Sequence, residues 1–176
     1  MPSVKVRPSN DNDIAAITEI YAHNVCHSTV TFETEPPDAA EMARRRAEIR
    51  QRNLPHLVAE LDGILVGYAY ATPYRPRKAY HFTVEDSIYI HPKHIGQGLG
   101  RVLLPALIEA CVQHGSRQMM AVIGGTDNAP SIRLHERFGF CHAGVLKSVG
   151  FKFGRWLDTV LMQRTLGSGD TTPPEE

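Results

Sequence analysis

The sequence predicts a single α/β domain, on three observations. Strand and helix patterns alternate along the chain, an Asp-Gly pair at 62–63 joins two β-rich runs, and a glycine-rich turn leads from a strand into a helix. With 176 residues the chain fits one domain of the usual size. Lys plus Arg (19) balance Asp plus Glu (19), which argues against a nucleic-acid footprint or a polybasic membrane patch and favours a small ligand. No apolar run reaches the roughly 18 residues a membrane span requires.

The elements follow in order. Ser3 to Arg7 alternate as a short strand, and Asp11 or Asp13 can cap a helix with Ile14, Ile17, Ile20 and Tyr21 at helical spacing. Pro36-Pro37-Asp38 opens a second helix, whose arginines 44, 45, 46, 50 and 52 alternate with Glu41 and Glu48 as a solvated face does. His56 to Leu61 and Ile64 to Ala71 read as antiparallel strands around the Asp62-Gly63 turn. After a polar loop, Tyr80 to Ile90 reads as a long strand. Gly100 to His114 is helical by its apolar spacing, with Pro105 tolerated near the start. Met119 to Ile123 is a buried strand, Pro130 to Phe138 a short helix ended by Gly139, and strands are expected around 143–149 and 156–163. The domain is expected to occupy 1–166. The Gly/Pro-rich polar tail, 167–176, is expected to be disordered.

Cys26, Cys111 and Cys141 are odd in number and far apart, a pattern that suits a reducing cytoplasm and no metal site. The first residues carry no apolar signal segment, in keeping with a cytoplasmic location.

The most informative motif is His91-Pro-Lys-His-Ile-Gly96-Gln-Gly98-Leu-Gly100-Arg101. Glycines allow a tight turn whose N–H groups point at an anion, and the helix start adds a positive dipole end. No Gly-Lys-Ser/Thr closes it as in a Walker loop, and Arg101 stands where a dinucleotide fingerprint needs its third glycine.

Strand, glycine loop and helix together resemble the coenzyme A pyrophosphate loop of the GNAT N-acetyltransferases. Ser28-Thr-Val-Thr-Phe32, Gly67-Tyr-Ala-Tyr-Ala71, Pro73-Tyr-Arg-Pro-Arg77, Thr83-Val-Glu-Asp-Ser87, Leu134-His-Glu-Arg-Phe138 and Gly150-Phe-Lys-Phe-Gly-Arg-Trp156 resemble the phosphinothricin and methionine sulfoximine acetyltransferases, from about Val4 to Leu166. The resemblance implies the GNAT fold: a mixed, mostly antiparallel sheet of α+β type, flanked by helices and splayed to admit acetyl-CoA. It implies cofactor contacts from Ile88, Tyr89 and Ile90 on the strand, from Gly96, Gln97, Gly98, Leu99, Gly100 and Arg101 in the loop, and from Asn128 and Ser131. Asn128 serves equally as a helix cap. Departures from the family pattern are Ile95 at the front of the loop, Gly124-Gly125, and Pro130 at the next helix.

An α-amine with a pKa near 8 arrives largely as ammonium, and only the free amine attacks a thioester, so a base is needed. Strand alternation puts Thr83, Glu85, Ser87 and Tyr89 on one face, which makes Glu85 the candidate base. By itself it serves equally as the partner of a nearby arginine. The resemblance adds His135 as a proton relay or orienting group and Tyr89 as a proton donor to the departing thiolate. It also implies a substrate set of Phe32, Arg75, Arg77, Thr83, Glu85 and Lys152, in which the two guanidinium forks take an acid group and Phe32 forms an apolar wall. The segment Phe151 to Trp156 is expected to reach the neighbouring subunit's site in a homodimer. The expected activity is direct acetylation of the α-amine of a small amino-acid analogue. Acetylation of another small amine or a peptide N-terminus, and non-catalytic acyl-CoA sensing, are the alternatives. The three cysteines have no adjacent base motif to support an acyl-enzyme.

Overall fold

The computed structural model describes residues 4–174. In chain order the elements are β1 (Val4–Pro8), α1 (Ile14–His27), α2 (Ala39–Gln51), β2 (His56–Leu61), β3 (Ile64–Pro73), β4 (Thr83–Ile90), α3 (Gly100–Gln113), β5 (Gln118–Gly124), α4 (Ala129–Arg137), β6 (Cys141–Lys152) and β7 (Arg155–Thr165). The seven strands form one sheet in the order β1-β2-β3-β4-β5-β7-β6. Every neighbouring pair is antiparallel except β4 and β5, which run parallel through the α3 crossover. Ser3, the expected start of the first strand, lies outside the described residues.

Helices cover both faces. On one, α1 and α2 bury Ile17, Ile20, Val25 and Met42 against Val58 and Tyr68. On the other, Leu103, Leu104 and Leu107 of α3 are fully buried among Ala69, Val84, Met119 and Met162. At about 1.5–3 kcal/mol for each fully buried leucine, these three side chains fix α3, and with it the glycine loop at its start. Among the described residues, no helix is long and apolar enough to cross a membrane.

Local chemistry explains most boundaries. Asp62 and Gly63 both take positive φ, the two-residue turn that matches strand twist. Asp38 caps α2 through Glu41 N at 2.8 Å. The expected cap of α1 is corrected: Asn10 caps the 3-10 turn Asp11–Asp13, while the Asp13 carboxylate holds Arg7 at 2.8 Å through both oxygens. Thr83 rather than Tyr80 begins β4, because Lys78–Tyr80 closes a 3-10 turn. The last two strands are longer than expected, and Ser148 bulges out of β6 with its N–H on Asp158. Residues 167–170 form a turn and 171–172 a bend, and Arg117 donates to Gly169 O at 3.2 Å and Pro173 O at 3.4 Å; the last two residues of the tail expected to be disordered lie outside the described residues.

Candidate active site

The site begins where the sheet comes apart. β4 and β5 pair from Thr83↔Gln118 to Asp86↔Ala121. Beyond that point β4 runs on to Ile90 against β3, and β5 runs on to Gly124 against β7. The strands diverge into a cleft of about 900 Å³ lined by Ile88, Tyr89 and Ile90 on one side and Val122 and Gly124 on the other, with Asn128 and Ser131 at the start of α4. Backbone groups facing such a gap need partners, and an amide-bearing ligand arm supplies them.

The glycine loop closes the far end. Gly96 (φ +82°) and Gly98 (φ +81°) occupy the left-handed region, and a Cβ on either would meet nothing within 4 Å. Their role is conformational, and the space in front of them is open. Gly100 has another role: a Cβ there would stand 2.7 Å from Leu134 Cδ2, so this glycine lets α3 approach α4. Arg101 lines the cleft. Leu99 is buried, so its side chain anchors the loop and only its backbone can face a ligand. Gln97 turns back on its own turn, donating to Lys93 O at 3.3 Å with Oε1 3.1 Å from His94 Nδ1. Ile95 sits exposed on the rim. Asn128 does cap α4, accepting from Ser131 N at 3.4 Å, and it lines the cleft as well. Open N–H groups at a helix start, an arginine and two unzipped strand edges fit a pyrophosphate carrying an amide arm.

Two adjacent acids on β4 point to opposite faces. Glu85, level with Thr72 of β3, is half-buried and forms no ion pair among the described residues. Burial pushes its carboxyl above the usual value, the Asp86 charge adds to this, and the Arg75 guanidinium opposes it. Arg75 itself is exposed, with its guanidinium 5.0 Å over the Tyr74 ring. Arg77 is exposed at the start of the 3-10 turn and is not among the charges that act on Glu85. Thr83 begins the same strand face.

Tyr89 packs edge-on against Tyr21 (centroids 5.0 Å apart) and stacks on Tyr68 at 5.3 Å. Burial, reinforced by the neighbouring tyrosines, holds its phenol far above 10, so it keeps its proton at neutral pH.

On the other face, His135 is buried and both ring nitrogens are committed: Nδ1 lies 2.8 Å from Ser131 O and Nε2 3.0 Å from Asp86 Oδ2. A carbonyl only accepts, so Nδ1 carries a hydrogen, and a second proton lies between Nε2 and the carboxylate. Burial lowers the imidazole pKa, but the Asp86 hydrogen bond and charge outweigh it and the net shift is upward. His135 and Asp86 thus share a proton in a buried pair, and neither ring nitrogen is left open for the expected relay. Asp86, which sequence reasoning passed over, lines the apex of the cleft, and its Oδ1 has no hydrogen-bond partner among the described residues. Its one sequence signal was that it follows Glu85 directly, on the opposite side of the strand.

Phe32 lies over two glycines: a Cβ on Gly150 would come within 2.4 Å of its ring, and one on Gly124 within 3.0 Å of the ring and 2.3 Å of Thr29 O. The Gly124 departure therefore seats the segment between α1 and α2. Lys152, expected among the substrate contacts, is buried and donates to Ser28 O and Thr31 O instead.

A sheet opened between two parallel strands, with a glycine loop at the following helix, is the architecture of a coenzyme A-dependent acyltransferase. The chain belongs to the Acetyltransferase (GNAT) family, whose model matches residues 17–140. It is 59% identical to a phosphinothricin N-acetyltransferase of Alcaligenes faecalis, over 97% of this chain and 86% of that one. It is 42% identical to an L-methionine sulfoximine/L-methionine sulfone acetyltransferase of Salmonella typhimurium, covering 92% and 94%. The crystal structure of a GNAT superfamily phosphinothricin acetyltransferase from Sinorhizobium meliloti in complex with acetyl-CoA superposes with a TM-score of 0.96 at 46% identity, covering 98% and 94%.

Proposed function

We propose that the chain transfers the acetyl group of acetyl-CoA to the α-amine of a small amino-acid analogue of the phosphinothricin, methionine sulfoximine or methionine sulfone kind. The observation that carries this reading is Glu85, an unpaired, half-buried carboxylate with a raised pKa beside the point where β4 and β5 part. Acetyl-CoA supplies an activated thioester. The glycine loop and Arg101 hold its phosphates, and the free edges of Ile88 to Ile90 hold its arm. Glu85 takes the ammonium proton of the substrate, directly or through one water, and its raised pKa strengthens it as a base. Tyr89 keeps its Oη proton and can give it to the departing sulfur. Arg75, whose charge reaches Glu85, takes the substrate's acid group, and Phe32 packs beside its side chain. A direct transfer suits these residues: Cys111 is buried, and burial pushes its thiol up to about 12, which leaves it a poor nucleophile.

The active form is a homodimer in the cytoplasm. Val145, Leu146, Val149, Phe151, Phe153 and Trp156 are all exposed on the β6–β7 hairpin, an apolar surface of the kind a second copy covers. Sedimentation showing a fully active monomer of 19.6 kDa would reject this assembly.

The deciding experiment is free-thiol release from acetyl-CoA with phosphinothricin, methionine sulfoximine, methionine sulfone and spermidine. The first three should turn over well above spermidine. Equal or faster turnover of the polyamine overturns the substrate class, and the absence of thiol release with every one of the amines leaves acyl-CoA sensing as the reading.

A further inference from the structure

We infer that Lys152 is a positioning residue for the amine site, acting through residues 28–32 rather than by touching substrate; its kinetic arm rests on the acetyl-transfer reading above. The residue is 4% exposed, and the ammonium donates to Ser28 O at 2.9 Å and Thr31 O at 2.8 Å. The Phe153 ring lies 5.0 Å from Nζ. No carboxylate forms an ion pair with Lys152 among the described residues. An ammonium buried without a counter-ion is unfavourable, and an apolar side chain of similar length would fill the same volume without that penalty. What the charge supplies here is a donor for two loop carbonyls three residues apart. With those carbonyls and an aromatic face around it, the group is already engaged by its own chain and is not presented to a substrate carboxylate.

The segment it grips forms a wall of the site. Val30 lines the cleft, and Phe32 lies over Gly124 and Gly150. Thr31 Oγ1 is 3.0 Å from Tyr21 Oη, and Tyr21 packs edge-on against Tyr89. One ammonium at the end of β6 thereby sets the place of Val30, Phe32 and, through Tyr21, the Tyr89 ring. Gly124 pins the same segment from β5, since a Cβ there would lie 2.3 Å from Thr29 O.

Lys152→Met and Gly124→Ala disturb this segment from opposite sides. Each is compared with wild type on phosphinothricin and on its α-carboxamide, which keeps the amine but lacks the α-carboxylate. The expected result is that both variants raise KM for both amines by a similar factor, about tenfold, and that in Lys152→Met, which lies outside the cleft lining, KM for acetyl-CoA changes less than about twofold. A rise confined to the carboxylate substrate in Lys152→Met would make the lysine a direct ligand of the acid group and overturn the inference, as would an unchanged KM for both. Hydrogen exchange gives an arm independent of activity. Amides 28–33 should exchange faster in Lys152→Met while those of β2 and β3 keep their protection, and unchanged exchange at 28–33 overturns the inference even if no amine is a substrate. A wild type that acetylates none of the panel removes the acetyl-transfer reading and leaves this exchange arm to decide. Should Lys152→Met fail to fold, Lys152→Gln, whose shorter amide cannot span both carbonyls, carries both arms: the same uniform rise in KM and faster exchange are expected, and their absence overturns the inference.

Discussion

Glu85 and Asp86 are chemically near-identical neighbours, yet β4 turns them into opposite things. Asp86 enters the α3/α4 side, where its side chain is 2% exposed and closes on His135 at 3.0 Å. Glu85 enters the α1/α2 side, half-buried with no ion-pair partner among the described residues. A carboxylate that is buried and matched has its charge consumed by its partner and serves as a strut. One that is partly desolvated and unmatched retains affinity for a proton, as a base requires. The two acids differ in both partner and depth, and on the proposed mechanism the matched one serves as strut and the unmatched one as base.

The largest expected effect tests the unmatched acid. Glu85→Gln should lower kcat by about 10²–10⁴-fold near neutral pH, with the loss shrinking at high pH as solvent supplies free amine. A variant with the wild-type rate at pH 7 would remove Glu85 from the mechanism. Next comes the matched acid: Asp86→Asn breaks a buried pair and should cost about 3 kcal/mol or more in urea denaturation, with a smaller fall in kcat than Glu85→Gln. Full stability combined with an equal loss of kcat would erase the distinction between the two acids.

A subtler test follows pH. The native pKa of His135 is raised above 6.5, so the folded state binds that proton more tightly than the unfolded chain. The stabilisation is complete below about pH 6.5 and is lost as pH rises through the raised native value. Denaturation measured from about pH 5 to 9 should show this decline in the wild type and flatten it in Asp86→Asn. The smallest effect concerns Arg75, whose charge lowers the Glu85 pKa. Arg75→Met should move the acid limb of kcat/KM to higher pH with an amine that carries no acid group. An unmoved limb would show that Arg75 does not act on the base.

Sequence reasoning reached most of the fold because the relevant signals are local: the Asp62-Gly63 turn, the period of α3, and the glycines at 96 and 98 act over a few residues. Glu85 was legible through strand alternation and family resemblance together. The rest depends on distant pairs. The partner of Asp86 is 49 residues away on α4, and the ammonium of Lys152 meets carbonyls more than 120 residues earlier in the chain. No local pattern encodes such a meeting, so Lys152 was read from motif likeness as a substrate contact. Gly100 was grouped with the other loop glycines although it serves the approach of Leu134. The Asn10 cap is masked in the sequence by two aspartates beside it that offer the same chemistry.

The joint between β4 and β5 also bears on how the chain assembles. β1 to β4 each pair with the strand next in sequence, and β5, β7 and β6 form from residues 118–165 alone. Each half-sheet can therefore zip up from its own contiguous stretch. Among the described residues four pairs, Thr83 to Asp86 against Gln118 to Ala121, join the strands of the two halves, and that joint requires closing the intervening loop and α3. Within the sheet the halves meet along this short seam, backed by the α3 core, the Asp86–His135 pair and the grip of Lys152 on residues 28–31, and the seam should be the last part of the sheet to form and the first to open under denaturant. The break that makes room for a ligand then lies next to the part of the sheet that closes last.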